Sequence, residues 1–251
     1  MESSSQVPSE VRQRTIFGHT LYSTHLQENR TVKVVLPPGY ESYRNLPVVY
    51  CHDGGEFLTH GRIATLATKM VTDGELNPIV IVAAHVNKAH RNDDYAITGN
   101  RNDAYNRFIV EELLPFVEQT YPVSQDASAR FMAGVSLGAH ASMVLHLRYP
   151  DLFSQLLLFS GAFYNELMTA MRDFGPLSLL HAWMLAGRNE TAVDTQMGAV
   201  NFYELNRNAH GLLIERGAHI DYLEDEGTHI WGFWQRHIPD ALAWLQRRLD
   251  A

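Results

Sequence analysis

Short apolar runs recur along this chain, each followed by enough sequence for a helix, and that alternation constrains its fold more than any other feature. The clearest are residues 46–51 (LPVVYC), 78–83 (PIVIVA), 130–133 (RFMA) and 156–159 (LLLF). A continuous apolar run suits a parallel strand covered on both faces, because both sides of the pleat are then buried. Further strand candidates lie at 177–185 and 220–223. Helical periodicity marks 62–71, 137–149, a region reaching about residue 215, and 230–249, where Trp231, Trp234, Ile238, Leu242, Leu245 and Leu249 share one face. Tyr105, Phe108, Ile109, Leu113, Phe116 and Val117 line another helix, which Pro115 is expected to kink. Strands alternating with helices predict an α/β fold, a mostly parallel central sheet with helices on both faces. Residues 15–26 and 31–36 read as strands with no helix between them, hence an antiparallel N-terminal edge. Residues 87–102 read as a polar loop, and 165–176 as a candidate mobile cap. No repeat or linker interrupts the chain, so residues 1–251 are expected to form a single domain.

Composition narrows the function. The chain is 45% hydrophobic and carries a net charge of −8, which disfavours phosphate backbones and anionic lipid. Neither nucleic acid nor membrane is therefore expected as a partner. Cys51 is the sole cysteine, so no intramolecular disulfide can form, and it reads as a small packing residue. The polar start, residues 1–15, has no apolar signal region, and no apolar stretch nears the ~20 residues of a membrane helix. A cytoplasmic protein is the expectation. The thirteen histidines show no metal-ligand spacing, so neither a metal nor a cofactor is expected.

The chemistry is concentrated in Gly134-Val135-Ser136-Leu137-Gly138, a G-x-S-x-G pattern. Such a pattern arises by chance in about one chain in ten of this length, given glycine's frequency. Its setting makes it specific: a strand precedes it and a helix follows. A serine on that sharp turn lifts Oγ above the sheet, and the glycines avoid Cβ collisions where strand meets helix. The helix N-terminus then faces a reacting carbonyl.

A serine nucleophile needs a histidine base and an acid later in the chain. His140 and His146 lie on the helix after Ser136, His181 and His219 in or beside strands, and His210 and His237 within helices. His229 alone falls in a loop past the last strand, at the sheet edge where ligands bind in open α/β folds. The acid should close the preceding strand, in Gly187-Arg188-Asn189-Glu190, which favours Glu190 and leaves Asp194 as the alternative. Two backbone N–H groups should hold the oxyanion, those of Leu137 and of Gly55 in His52-Asp53-Gly54-Gly55. Tyr164 and Trp231 are candidate walls of the substrate pocket.

With these residues placed, the chain resembles the α/β-hydrolase esterase family that includes enterochelin esterases, S-formylglutathione hydrolases and mycolyltransferases. The resemblance runs through Val48–Gly54, Arg91-Asn-Asp-Asp-Tyr95, Phe108–Phe116 with Tyr121-Pro122, the serine turn, Arg148-Tyr149-Pro150, Phe159-Ser160-Gly161, Gly187–Glu190 and Gly227-Thr228-His229 with Trp231 and Trp234. It implies an α/β-hydrolase fold, a Ser136–Glu190–His229 triad, Gly55 and Leu137 as oxyanion donors, and a homodimer. Two departures are Ala139, where the family often has a second glycine, and Thr228, where Gly-Gly-His is common. The expected activity is hydrolysis of small or short-chain carboxylic esters through an acyl-enzyme. A siderophore-lactone esterase or an acyltransferase would use the same triad, and a non-catalytic binding protein could share the fold. Turnover of a p-nitrophenyl ester separates the last of these from the rest.

Overall fold

The computed structural model describes residues 13–196 and 198–251, so most of the polar start, residues 1–12, lies outside the described residues. Among the described residues there are ten strands: β1 (Thr15–Ser23), β2 (Glu28–Leu36), β3 (Val48–Cys51), β4 (Val80–Ala84), β5 (Arg130–Val135), β6 (Gln155–Phe159), β7 (His181–Gly187), β8 (Val193–Thr195), β9 (Gly198–Val200) and β10 (His219–Asp225). Eight of them form one sheet in the order β1-β2-β4-β3-β5-β6-β7-β10. β1 pairs antiparallel with β2, and β2 with β4; every later pairing in that sheet is parallel. The expected antiparallel edge is therefore present. β8 and β9 form a separate hairpin.

The helices are α1 (Gly54–Thr59), α2 (Ile63–Asp73), α3 (Arg91–Tyr95), α4 (Asn102–Arg107), α5 (Leu114–Thr120), α6 (Leu137–Arg148), α7 (Asn165–Phe174), α8 (Phe202–Glu215) and α9 (Trp231–Leu249). Alternation along the strands builds two cores. Val48, Tyr50, Met132, Leu156, Leu158 and Met184 face one way, beneath residues such as Phe108, Val117, Leu145, Leu167 and Leu213. Val49, Cys51, Phe131, Leu157, Phe159 and Leu185 face the other, beneath Ile63 and Met70 of α2 and Trp234, Ile238 and Leu242 of α9. Each such side chain contributes about 1.5–3 kcal/mol on burial. Double burial is why these strands are apolar beyond the first residues of β5, β6 and β7, which are Arg130, Gln155 and His181. Among the described residues no helix is long and apolar enough to cross a membrane.

Five readings need correction. Pro115 does not kink a regular helix; between α4 and α5 the chain widens into a π-helical segment, Phe108–Leu113, and Pro115 sits in the first turn of α5. Proline offers no N–H and its ring crowds the carbonyl four residues back, so a locally wider turn relieves both problems. The polar stretch 87–102 is not all loop, since it contains α3. The strand read at 177–185 begins only at His181, because Leu180 N–H closes a turn onto the Leu177 carbonyl first. The candidate mobile cap is largely α7, anchored by buried Leu167, Met168 and Met171. The helical region read after residue 185 is also narrower: the β8–β9 hairpin comes first, and α8 starts at Phe202.

Candidate active site

Ser136 stands between β5 and α6 with φ 54° and ψ −118°, a backbone conformation that costs a non-glycine residue on the order of 1–3 kcal/mol. Its N–H is held by the Phe159 carbonyl at 2.8 Å, and its carbonyl accepts from Ala162 N–H at 3.0 Å. The flanking glycines have separate reasons. A Cβ on Gly134 would lie 2.2 Å from the Gly138 carbonyl group, because the helix folds directly back over the strand end. A Cβ on Gly138 would instead come within 3.0 Å of Asp53 Oδ2, on the turn after β3.

Three strand ends bring the predicted residues together. Ser136 Oγ lies 2.8 Å from His229 Nε2, and His229 Nδ1 lies 3.3 Å from Glu190 Oε2. With the proton on Nδ1, the imidazole donates to the carboxylate and accepts from the serine hydroxyl. The loops carrying the acid and the base are stitched to each other: Arg188 N–H donates to the Asp225 carbonyl at 2.9 Å, and Asn189 N–H to that of Gly227 at 3.1 Å. Gly187 must be small, since its Cβ would meet the Gly227 carbonyl oxygen at 2.6 Å and Glu190 Oε1 at 2.8 Å. Glu190 is wholly buried, whereas Asp194 is exposed on the β8–β9 hairpin at the rim. The imidazole is clamped between rings, Phe202 with centroids 4.0 Å away and Trp234 edge-on at 4.9 Å.

Leu137 opens α6 and Gly55 stands in the first turn of α1. Among the described residues no hydrogen bond occupies the N–H of either, as expected where a helix begins. The turn that carries Gly55 is tightly held. Asp53 is left-handed, with φ 51°, and donates its N–H to Tyr95 Oη at 3.0 Å. Its carboxylate accepts from Arg91 Nε at 2.9 Å and Nη2 at 2.7 Å, a two-pronged pair. Burial alone would lower the Arg91 pKa, but the Asp53 carboxylate more than offsets it and the guanidinium is held above its usual range. Neighbouring His52 is enclosed and hydrogen-bonded through Nδ1 to Tyr105 Oη at 2.8 Å; burial, reinforced by Arg91 and Arg30, pushes its pKa down to about 3.

Two cavities meet at Ser136 and His229. One, of about 670 Å³, is walled by Val86, Val135, Ile230, Trp231 and Trp234. The other, of about 690 Å³, is more polar and includes Asn92, Tyr164, Asn165, Glu166 and Gln196. Trp231 and Tyr164 thus line different cavities, both of which reach the serine. Sequence reasoning missed Arg91, Phe202 and Ser160 as neighbours of this site; Phe202 lies in the helical region where periodicity points only to packing. No three His, Cys, Asp or Glu side chains gather as metal ligands among the described residues.

Comparison with known proteins agrees with this architecture. A family model described as "Putative esterase" matches residues 23–245. A Bacillus subtilis (strain 168) protein, "Uncharacterized protein YjcH", is 29% identical over 91% of this chain and 96% of its own. An acetyl esterase of Caldicellulosiruptor saccharolyticus is 21% identical over 91% of this chain and 97% of its own. The crystal structure of the enterobactin esterase of Shigella flexneri superposes with a TM-score of 0.82 at 20% identity, covering 94% of this chain and 59% of that one. The fold is the α/β-hydrolase fold.

Proposed function

Because this chain belongs to the "Putative esterase" family and is an ester-hydrolysing enzyme, we propose that it cleaves small carboxylic esters through an acyl group carried on Ser136. The observation that carries this reading is the unbroken line of contacts from Glu190 through His229 to Ser136 Oγ. His229 Nε2 takes the hydroxyl proton as Oγ bonds to the ester carbonyl carbon. The carbonyl oxygen becomes an anion facing the N–H groups of Leu137 and Gly55, and Glu190 stabilises the imidazolium. The intermediate collapses, the C–O bond to the alcohol breaks, and His229 returns its proton to that oxygen. A water molecule then repeats the sequence on the acyl-enzyme and frees the acid. Two cavities beside one serine give the acyl and alcohol portions separate room, with Trp231 and Tyr164 as walls.

The test is turnover of p-nitrophenyl acetate, butyrate and octanoate by the wild type and Ser136→Ala. The reading expects wild-type turnover that falls with chain length and a loss of at least about 10⁴-fold in the variant. Comparable rates in both proteins would overturn it.

A further inference from the structure

Ser160 follows β6 and lies outside the line of three residues above. It is completely buried, and its backbone is left-handed at φ 44°, which is unfavourable for a residue with a side chain. Two fixed contacts impose that conformation. Ser160 N–H donates to the Leu185 carbonyl at 2.7 Å, tying the turn to β7. Buried Asn206 then grips the next residue from both sides, accepting from Gly161 N–H at 2.9 Å and donating to the Gly161 carbonyl at 3.0 Å.

The hydroxyl so placed has two neighbours. Trp234 Nε1 lies 2.9 Å from Ser160 Oγ, and Ser160 Oγ lies 2.7 Å from Glu190 Oε1. An indole nitrogen can only donate, so the tryptophan must give its hydrogen to the serine oxygen. The one hydroxyl hydrogen then has a single remaining acceptor, the carboxylate. Direction is therefore set along the whole path, from Trp234 through Ser160 to Glu190. Among the described residues, no other donor reaches Oε1, and Oε2 is turned to His229. The same indole also stands perpendicular to the His229 ring, at 89°.

We propose that Ser160 and Trp234 are positioning residues that hold the Glu190 carboxylate in the one rotation in which Oε2 faces His229. This rests on reading Ser136, His229 and Glu190 as nucleophile, base and acid. A buried carboxylate with a single partner would be free to turn and would resist ionisation; a second, aimed donor answers both problems. The relay acts on the acid: Ser160 is fully enclosed away from the substrate cavities, while Trp234 also walls the first of them.

The experiment is the pH dependence of kcat/KM from pH 4.5 to 9 on p-nitrophenyl acetate, for wild type, Ser160→Ala, Trp234→Phe and Ser136→Ala. Ser160→Ala should lower kcat/KM roughly ten- to hundredfold at neutral pH, the size of one hydrogen bond to a charged group. Its acid limb should shift, because that limb reports the protonation of His229, which depends on the charge and orientation of the carboxylate beside it. Trp234→Phe removes the N–H and also trims the ring beside His229 and the first cavity, so the limb rather than the rate is its readout, and it should be displaced in the same direction by less. A purely structural role would reduce activity with no movement of the limb. If Ser160→Ala fails to fold, Trp234→Phe decides alone. An acid limb unmoved in the folded variants, with Ser136→Ala inactive, overturns the relay and leaves the triad reading intact. Activity in Ser136→Ala would overturn the triad reading and the relay with it.

Discussion

Replacing Glu190 by glutamine perturbs the site at the residue whose surroundings are most fully specified. The carboxylate is wholly buried and accepts on both oxygens, from Ser160 Oγ and from His229 Nδ1. Glutamine is isosteric but has one acceptor and one donor end, so no orientation reproduces both contacts. If the NH₂ faces His229, the ring must carry its proton on Nε2 and can no longer accept from Ser136. If it faces Ser160, the hydroxyl receives hydrogens from both the amide and Trp234, and its own hydrogen loses its acceptor. In either case the imidazolium formed during attack loses its buried counter-charge. A wrong tautomer and an unsupported cation together should cost about 10³–10⁴ in kcat, or about 4–5.5 kcal/mol of transition-state stabilisation. Stability should change little, because a buried charge is removed along with the contacts. The assay is kcat for p-nitrophenyl acetate beside the denaturant midpoint, with Asp194→Asn in parallel; the latter should stay within about twofold of wild type, as exposed substitutions usually do. A Glu190→Gln enzyme within tenfold of wild type, or a larger loss in Asp194→Asn, would refute this reasoning.

Gly134→Ala drives a Cβ to 2.2 Å from backbone atoms that cannot move aside, so unfolding stability should fall by about 3 kcal/mol and the Tm by about 6–12 °C; an unchanged Tm in differential scanning calorimetry would contradict the close approach of β5 and α6. His52 should make the protein acid-sensitive. Its pKa is about 3 when folded against 6.5 for the free side chain, so between those values the unfolded chain binds a proton that the folded one does not. Its contribution to stability is whole above pH 6.5 and declines as pH falls toward 3, by up to about 1.4 kcal/mol per unit. Urea titrations at pH 7 and pH 5 should show the decline, and His52→Gln should flatten it; an equal slope in the variant would place the sensitivity elsewhere.

The layered sheet was legible because doubly buried strands must be apolar throughout, as in residues 78–83, and no other arrangement of so many short apolar runs covers both faces. The serine turn was legible for a similar reason, since Gly134 answers to a backbone collision that tolerates no substitute. His229 could be picked by elimination, because its rivals lie on helices and strands. What escaped was the set of contacts between distant segments. Nothing in Arg91 foretells that its guanidinium grips Asp53, and nothing in Phe159-Ser160-Gly161 foretells that the hydroxyl points at Glu190. The choice between Glu190 and Asp194 turned on where a strand ends, and a shift of a few residues there moves a side chain from the interior to the rim. The π-helical segment was hidden because one extra residue per turn barely alters an apolar pattern over six positions.

The account turns on Ser136 being the atom that takes the acyl group, and covalent capture tests that without assuming a natural substrate. The protein is treated with a fluorophosphonate, digested and read by peptide mass spectrometry. The prediction is one phosphonyl adduct per chain, on Ser136, with activity lost in step, and with no adduct in Ser136→Ala or after unfolding. An adduct on another residue, or full activity in protein labelled at Ser136, would contradict the account at its centre.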